Sequence, residues 1–248
     1  VLEQAKDDPQ ARFYIGLVAL RQGKWSDAID SLQESASKPG AKASTFYNLA
    51  LALERLGKYP EALGALQDAS KRGGAKDARI QTSIGVVSLM TGDLQAADRA
   101  LAASKPLWEG KPSVAWFHYA ALAAALLGDL PRAQTLLVEG LKEHPRGVAA
   151  LNNNLAALLE RRGSYDEALA AGEHGLPVDP GLAQLHKNVG DLYYRASRQD
   201  EAFAAYERAV KSDPNLGPDV YIKLGNIRLK RQEKDEGANC WQRALELD

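Results

Sequence analysis

The chain has 248 residues, with 31 Lys or Arg against 32 Asp or Glu and a net charge of −1. Nucleic-acid binding rests on basic side chains neutralising several phosphates, so it is not expected of so balanced a chain. The 45% hydrophobic and 25% charged content is that of a folded polypeptide rather than a disordered one.

In chain order, residues 1–8 read as the last turns of a second helix from an upstream helix pair, because Asp8-Pro9 repeats the joints Asp179-Pro180 and Asp213-Pro214. Residues 9–248 then form a single array in which one phrase keeps returning: Ile15-Gly16, Leu49-Ala50, Ile84-Gly85, Ala120-Ala121, Leu155-Ala156, Val189-Gly190 and Leu224-Gly225, at spacings of 34 to 36 residues. After each phrase comes a turn, and then a second small residue: Ala28, Ala62, Ala97, Ala133, Ala168, Ala202 or Gly237. Four residues further on stand Leu32, Leu66, Leu101, Leu137, Gly172, Tyr206 and Trp241, on the same helical face as the small residue. Seven helix pairs follow, over approximately 9–42, 43–76, 77–112, 113–147, 148–181, 182–216 and 217–248.

The turns support these boundaries. Gly23, Gly57, Gly92, Gly128 and Gly163 stand just past the first helix of a pair, where a left-handed cap ends it. Pro60 and Pro131 fall in the first turn of a second helix, where a missing N–H costs nothing. The longest joint, Lys105 to Pro112, separates the third and fourth pairs. The second helix of the fifth pair, Asp166 to Gly175, is expected to be short and weak: Gly172 stands where a large residue belongs, and Pro177 stops the helix. The last helix carries Trp241, Ala244, Leu245 and Leu247 with nothing to cover them, so a fragment of a longer protein is expected.

Catalytic groups must converge on one reacting atom, and the local spacings that achieve this are missing. There is no His-Glu-x-x-His, no Gly-x-Gly-x-x-Gly, no phosphate-cradling loop and no nucleophile elbow. The histidines His118, His144, His174 and His186 fall on different helices, and the single Cys240 reads as a packing residue. No enzyme activity, cofactor or metal is expected. The most apolar run, Val114 to Leu127, is interrupted by His118 and is shorter than the roughly 18 residues of a membrane span.

The sixth pair brings the pattern together: Asn188-Val189-Gly190-Asp191-Leu192-Tyr193-Tyr194, then Asp200-Glu201-Ala202-Phe203, Tyr206-Glu207-Arg208-Ala209 and Asp213-Pro214. This order of small and aromatic residues in a unit of about 34 resembles the tetratricopeptide repeat family. The resemblance implies an all-α, right-handed solenoid, a superhelix of about seven helix-turn-helix repeats whose first helices line a concave groove. Groove-facing positions are then Phe13 and Leu17, Tyr47, Asn48 and Leu51, Val86 and Met90, and His118 and Leu122 in the first four repeats, an apolar lining. The later repeats supply Asn154, then Lys187, Asn188, Asp191 and Tyr194, then Asn226, a polar lining.

The apolar half is either a binding surface or further core, where neighbouring first helices close on one another; it is taken here as a binding surface. Asn48, Asn154 and Asn188 hold equivalent positions, and an amide offers both an acceptor and donors to the backbone of an extended peptide. In the repeats of O-linked N-acetylglucosamine transferases such asparagines form a ladder; here it is interrupted at Ser83 and Tyr119 and ends at Lys223, and asparagine is also an ordinary packing residue there. The family's carboxylate clamp resembles Lys and Asn four residues apart. Lys187 is instead followed by Asp191, whose charge would repel the carboxylate of a chaperone C-terminus. Arg21, Arg55, Arg161, Arg195 and Lys230 close first helices, where a cation meets the helix dipole favourably.

The function expected is a non-catalytic protein-interaction scaffold holding a protein or extended peptide in the groove. Two alternatives remain: a regulatory or substrate-docking arm of a larger enzyme or signalling protein, and homotypic assembly through uncapped ends. No nucleic acid and no membrane span enter this expectation. The compartment stays open between cytoplasm, which is preferred, and periplasm.

Overall fold

The structure is a computed structural model that describes residues 8–145 and 148–248. The helix remnant expected over residues 1–8 therefore lies, apart from Asp8, outside the described residues. Asp8 itself caps the first helix, its side chain accepting a hydrogen bond of 2.9 Å from the Gln10 N–H.

Among the described residues all regular structure is helical. The helices come in pairs: α1 (Pro9–Arg21) with α2 (Trp25–Ala36), α3 (Ala43–Arg55) with α4 (Tyr59–Lys71), and α5 (Ala78–Met90) with α6 (Leu94–Ser104). After α7 (Val114–Leu126) come α8 (Leu130–Glu143), α9 (Ala149–Arg161) with α10 (Tyr165–Gly175), α11 (Ala183–Arg195) with α12 (Gln199–Ser212), and α13 (Pro218–Lys230) with α14 (Lys234–Leu247). Contacts group the chain into two compact units, one ending at Gly128 and the other beginning at Asp129, so the division falls at the turn between α7 and α8.

Two devices in the sequence build each pair. The first is the turn: Gly23, Gly57, Gly92, Gly128 and Gly163 all have φ between 70° and 87°, the left-handed region where a Cβ is disfavoured. In the last two pairs Ser197 (φ 60°) and Gln232 (φ 67°) take that conformation without glycine. The second is a close approach within the pair. A Cβ on Gly16 would stand 2.5 Å from Leu32 Cγ, one on Gly85 2.6 Å from Leu101 Cγ, and one on Gly190 2.7 Å from Tyr206 Cδ1. Each large partner is at most 1% exposed, so the glycine exists to admit it.

The fifth pair breaks the rule by exchange. Gly172, on the second helix, stands where the others have a large residue, and the space it leaves is taken by Val189 of α11, whose Cγ2 would lie 2.5 Å from a Cβ at 172. Gly175 likewise admits Leu185 of α11 at 2.8 Å. Helix α10 has 11 residues, against 14 in α12. The expectation that Gly172 leaves its neighbours without packing is therefore corrected: Val189 and Leu185 fill the gap and are both fully buried.

The long joint after α6 is tied down from behind. Trp116 Nε1 donates to the Leu101 carbonyl (3.0 Å) and to Ser104 Oγ (2.9 Å), and Thr82 Oγ1 donates to Ser104 Oγ (3.2 Å). Between consecutive pairs, cations lie over aromatic rings. The Arg55 guanidinium is 5.9 Å from the Trp25 ring centre, Arg195 4.7 Å from Tyr165, and Arg231 3.9 Å from Phe203.

Candidate functional site

In the first unit, α3 shows how one helix serves core and surface together. Phe46, Leu49, Ala50 and Leu53 are buried, while Tyr47, Leu51 and Glu54, at spacings of four and three, share the opposite face. On one side of that face a cleft of about 410 Å³ opens between α1 and α3, lined by Leu17, Leu20 and Arg21, by Trp25 of α2, and by Asn48, Leu51, Glu54 and Arg55. On the other side a cleft of about 230 Å³ is lined by Tyr47, Leu51 and Glu54, by Arg79, Thr82, Ser83 and Val86 of α5, by Trp108 of the joint, and by Ser113, Ala115 and Tyr119. Leu51 and Glu54 belong to both.

Most sequence-predicted residues of this half fall on or beside these clefts. Leu17, Tyr47, Asn48, Leu51 and Val86 line them; Val86 is buried, and Asn48 Nδ2 donates to the Ser44 carbonyl at 2.7 Å within its own helix. Phe13 and Tyr47 also pack against the core of the first two pairs. Leu122 and His118 are half-buried, with the His118 ring edge-on to Tyr119 at 4.8 Å, and burial lowers the pKa of that imidazole. Met90 is 41% exposed.

The charges of the two clefts are unequal. Arg79 is held by Asp77, with Nη2 to Oδ2 at 2.7 Å and Nε to Oδ1 at 3.2 Å, which lowers the Asp77 pKa and raises that of Arg79. Arg55 rests over Trp25. The Glu54 carboxylate makes no hydrogen bond or ion pair among the described residues, and burial raises its pKa against the weaker opposing effect of Arg55. Burial and the Glu54 charge together raise the Tyr119 phenol. Sequence reading passed over Glu54, although it holds the same register position as Leu20, Leu89, Ala125 and Glu160 of other repeats.

In the second unit the charged positions are occupied with one another. Lys187 Nζ lies 2.8 Å from Asp219 Oδ2 and 3.4 Å from Asp191 Oδ2; Lys223 Nζ lies 2.7 Å from Asp191 Oδ1; and the Tyr206 hydroxyl donates to that same oxygen at 2.7 Å. Burial alone would lower the Lys187 pKa, but the bonds to Asp219 and Asp191 outweigh it and the pKa is raised. For Asp219 burial is again outweighed, by Lys187 and Lys223, and its pKa is lowered. Burial and the bond to Asp191 push the Tyr206 phenol far up. Asn188 donates to Asn153 Oδ1 (2.8 Å) and accepts from Gln184 Nε2 (2.9 Å). Asn154, Tyr194 and Asn226 are half-buried, and Tyr194 lies near the Tyr206 ring at 6.5 Å. Sequence reading singled out Lys187 and Asp191 but not Asp219, which reaches them from the next first helix. A further cleft of about 620 Å³ opens at the joint between α10 and α11, where His186 Nε2 meets the Pro180 carbonyl at 2.8 Å.

Among the described residues no helix is long and apolar enough to cross a membrane, and no group of three His, Cys, Asp or Glu side chains is placed to hold a metal ion. Two tetratricopeptide repeat models match the chain, at residues 47–112 and 147–215, together more than half of it. The chain belongs to the tetratricopeptide repeat family. A third model, described as anaphase-promoting complex, cyclosome, subunit 3, matches residues 1–69. Solved tetratricopeptide repeat structures share the fold. A repeat protein from Parabacteroides merdae aligns over 96% of this chain and 93% of its own, with 20% identity and a TM-score of 0.71. The Cut9-Hcn1 hetero-tetramer of the APC/C aligns over 89% of this chain and 43% of its own, with 16% identity and a TM-score of 0.74. YrrB, described as having an unusual peptide-binding site, aligns over 83% of this tetratricopeptide repeat chain and 100% of its own, with 16% identity and a TM-score of 0.56. No curated protein matches it in sequence.

Proposed function

We propose that this chain is a non-catalytic scaffold that holds a polypeptide segment against the first-helix face of its first unit. Repeat arrays of this kind act through extended surfaces presented by stacked rigid helices. The observation that carries the reading is the pair of adjoining clefts sharing Leu51 and Glu54. They are lined by apolar and aromatic side chains, and preorganised helices lower the ordering cost of binding. In the second unit Lys187, Asn188, Asp191 and Lys223 are already paired, so they contribute to binding only by exchanging existing bonds.

The test is selection of binders from a displayed library of random linear peptides, followed by titration of the selected peptides against Leu17→Ser and Leu51→Ser variants. Loss of about 1.5 to 3 kcal/mol of binding is expected for a fully buried contact of this size. Peptides that bind both variants as well as the parent chain would place the binding surface elsewhere. A second reading, self-association, is favoured by the exposure of Tyr14 (56%), Ile15 (48%) and Val18 (53%) on one stretch of α1. Sedimentation over a concentration series with Val18→Lys decides it.

A further inference from the structure

Among the described residues nothing employs the carboxylate of Glu54. It sits half-buried at the junction of two apolar clefts, makes no hydrogen bond or ion pair among the described residues, and is driven by burial toward its protonated form. A charge withdrawn from water without a partner is a cost to the fold. In the smaller cleft the charged lining groups are Glu54 and Arg79, and Arg79 is already neutralised by Asp77. Around Glu54 the same cleft carries the rings of Tyr47, Tyr119 and Trp108. The second cleft also contains Arg21 and Arg55, so a cation would be repelled there and reach Glu54 from the side of α5 and α7.

A carboxylate among aromatic rings suits a cation on a long aliphatic stem: the stem covers apolar surface, the head pairs with the carboxylate, and ring faces attract the charge. The volume of about 230 Å³ is below the roughly 300–1,000 Å³ of pockets that take drug-sized ligands, which matches one side chain rather than a folded surface. We infer that the smaller cleft is a subsite for a lysine or arginine of a linear polypeptide, flanked by apolar residues, with Glu54 as the counter-charge. This rests on the peptide-binding reading given above and specifies the partner's chemistry.

The experiment uses the same displayed library on the parent chain, on Glu54→Gln and on Glu54→Lys, with Leu51→Ser as the groove control. Sequences selected on the parent should carry Lys or Arg at one fixed position between apolar residues. A synthetic peptide of that sequence should bind about tenfold tighter than its Lys→Met counterpart, the gain of one charge-assisted hydrogen bond. The difference should vanish on Glu54→Gln, and Glu54→Lys should select acidic residues at that position. Equal affinity of the Lys and Met peptides for the parent, or a basic preference unchanged on Glu54→Gln, overturns the proposal while leaving the groove intact, provided that Leu51→Ser still weakens binding. If Leu51→Ser binds every selected peptide, or nothing is selected on the parent, the groove reading falls and takes this proposal with it.

Discussion

The first-helix faces of the two units solve the same structural problem in opposite ways. In the first, α3 and α5 present apolar and aromatic side chains around Glu54, a carboxylate with no hydrogen bond or ion pair among the described residues. In the second, α11 and α13 close Lys187, Asp191, Lys223 and Asp219 into a network that also absorbs the Tyr206 hydroxyl. A polar lining is therefore not by itself a sign of binding. Polar groups paired with each other contribute to the fold, whereas the group left unpaired marks the surface that has something to gain from a partner.

The largest effect that could break this comparison is at Asp191. Removing it in Asp191→Ala leaves the buried Tyr206 hydroxyl without its acceptor and Lys187 and Lys223 sharing Asp219 alone, and about 2–3 kcal/mol of stability should be lost in urea unfolding, somewhat below a fully buried pair because the Asp191 side chain is 20% exposed. A neutral outcome would mean that the network is as idle as Glu54. Next comes Gly172→Ala. Helix propensity alone gives a gain of about 1 kcal/mol, but the new Cβ meets Val189, which is β-branched and stiff, at 2.5 Å. Overpacking at about 1–3 kcal/mol should win, and the variant should melt lower. A higher melting temperature would restore the view of Gly172 as an unfilled gap.

The turns provide a smaller and opposite effect. Ser197 takes the conformation that Gly57 and Gly92 take freely, so Ser197→Gly should stabilise the second unit by about 0.5–1 kcal/mol, after its added freedom in the unfolded chain is counted. The same measurement on Gln232→Gly should agree. The smallest effect is the most diagnostic. The raised pKa of Glu54 means that its contribution is most favourable at low pH and is lost as the pH rises and the carboxylate ionises. The lowered pKa of Asp219 has the reverse sign, with stability present at neutral pH and lost on acidification. Glu54→Gln should therefore raise Tm at neutral pH but not in acid, while Asp219→Asn should lower it at neutral pH and converge with the parent in acid.

Helix pairing was legible because close packing forces a small residue opposite a large one at a fixed spacing, and Gly16, Gly85 and Gly190 with Leu32, Leu101 and Tyr206 preserve that signal. Gly172 was misread because its partner, Val189, comes from the following pair, outside the window in which periodicity is judged. The apolar lining at Leu17, Tyr47 and Leu51 follows from register alone. Glu54 escaped because its register position is apolar in neighbouring repeats, so a carboxylate there looked like surface variation. The Lys187–Asp219 bond spans the distance from one first helix to the next, and residue order along a helix carries no trace of it.

The Arg–aromatic stacks have a consequence for how such a chain can be recombined. Trp25 with Arg55, Tyr165 with Arg195 and Phe203 with Arg231 each take one member from the second helix of a pair and the other from the first helix of the next pair or the turn that follows it. The piece that can be moved intact is therefore shifted by half a repeat. It runs from a second helix through the following first helix and its turn, so a single repeat cut at the joints would lose the stack on either side of it.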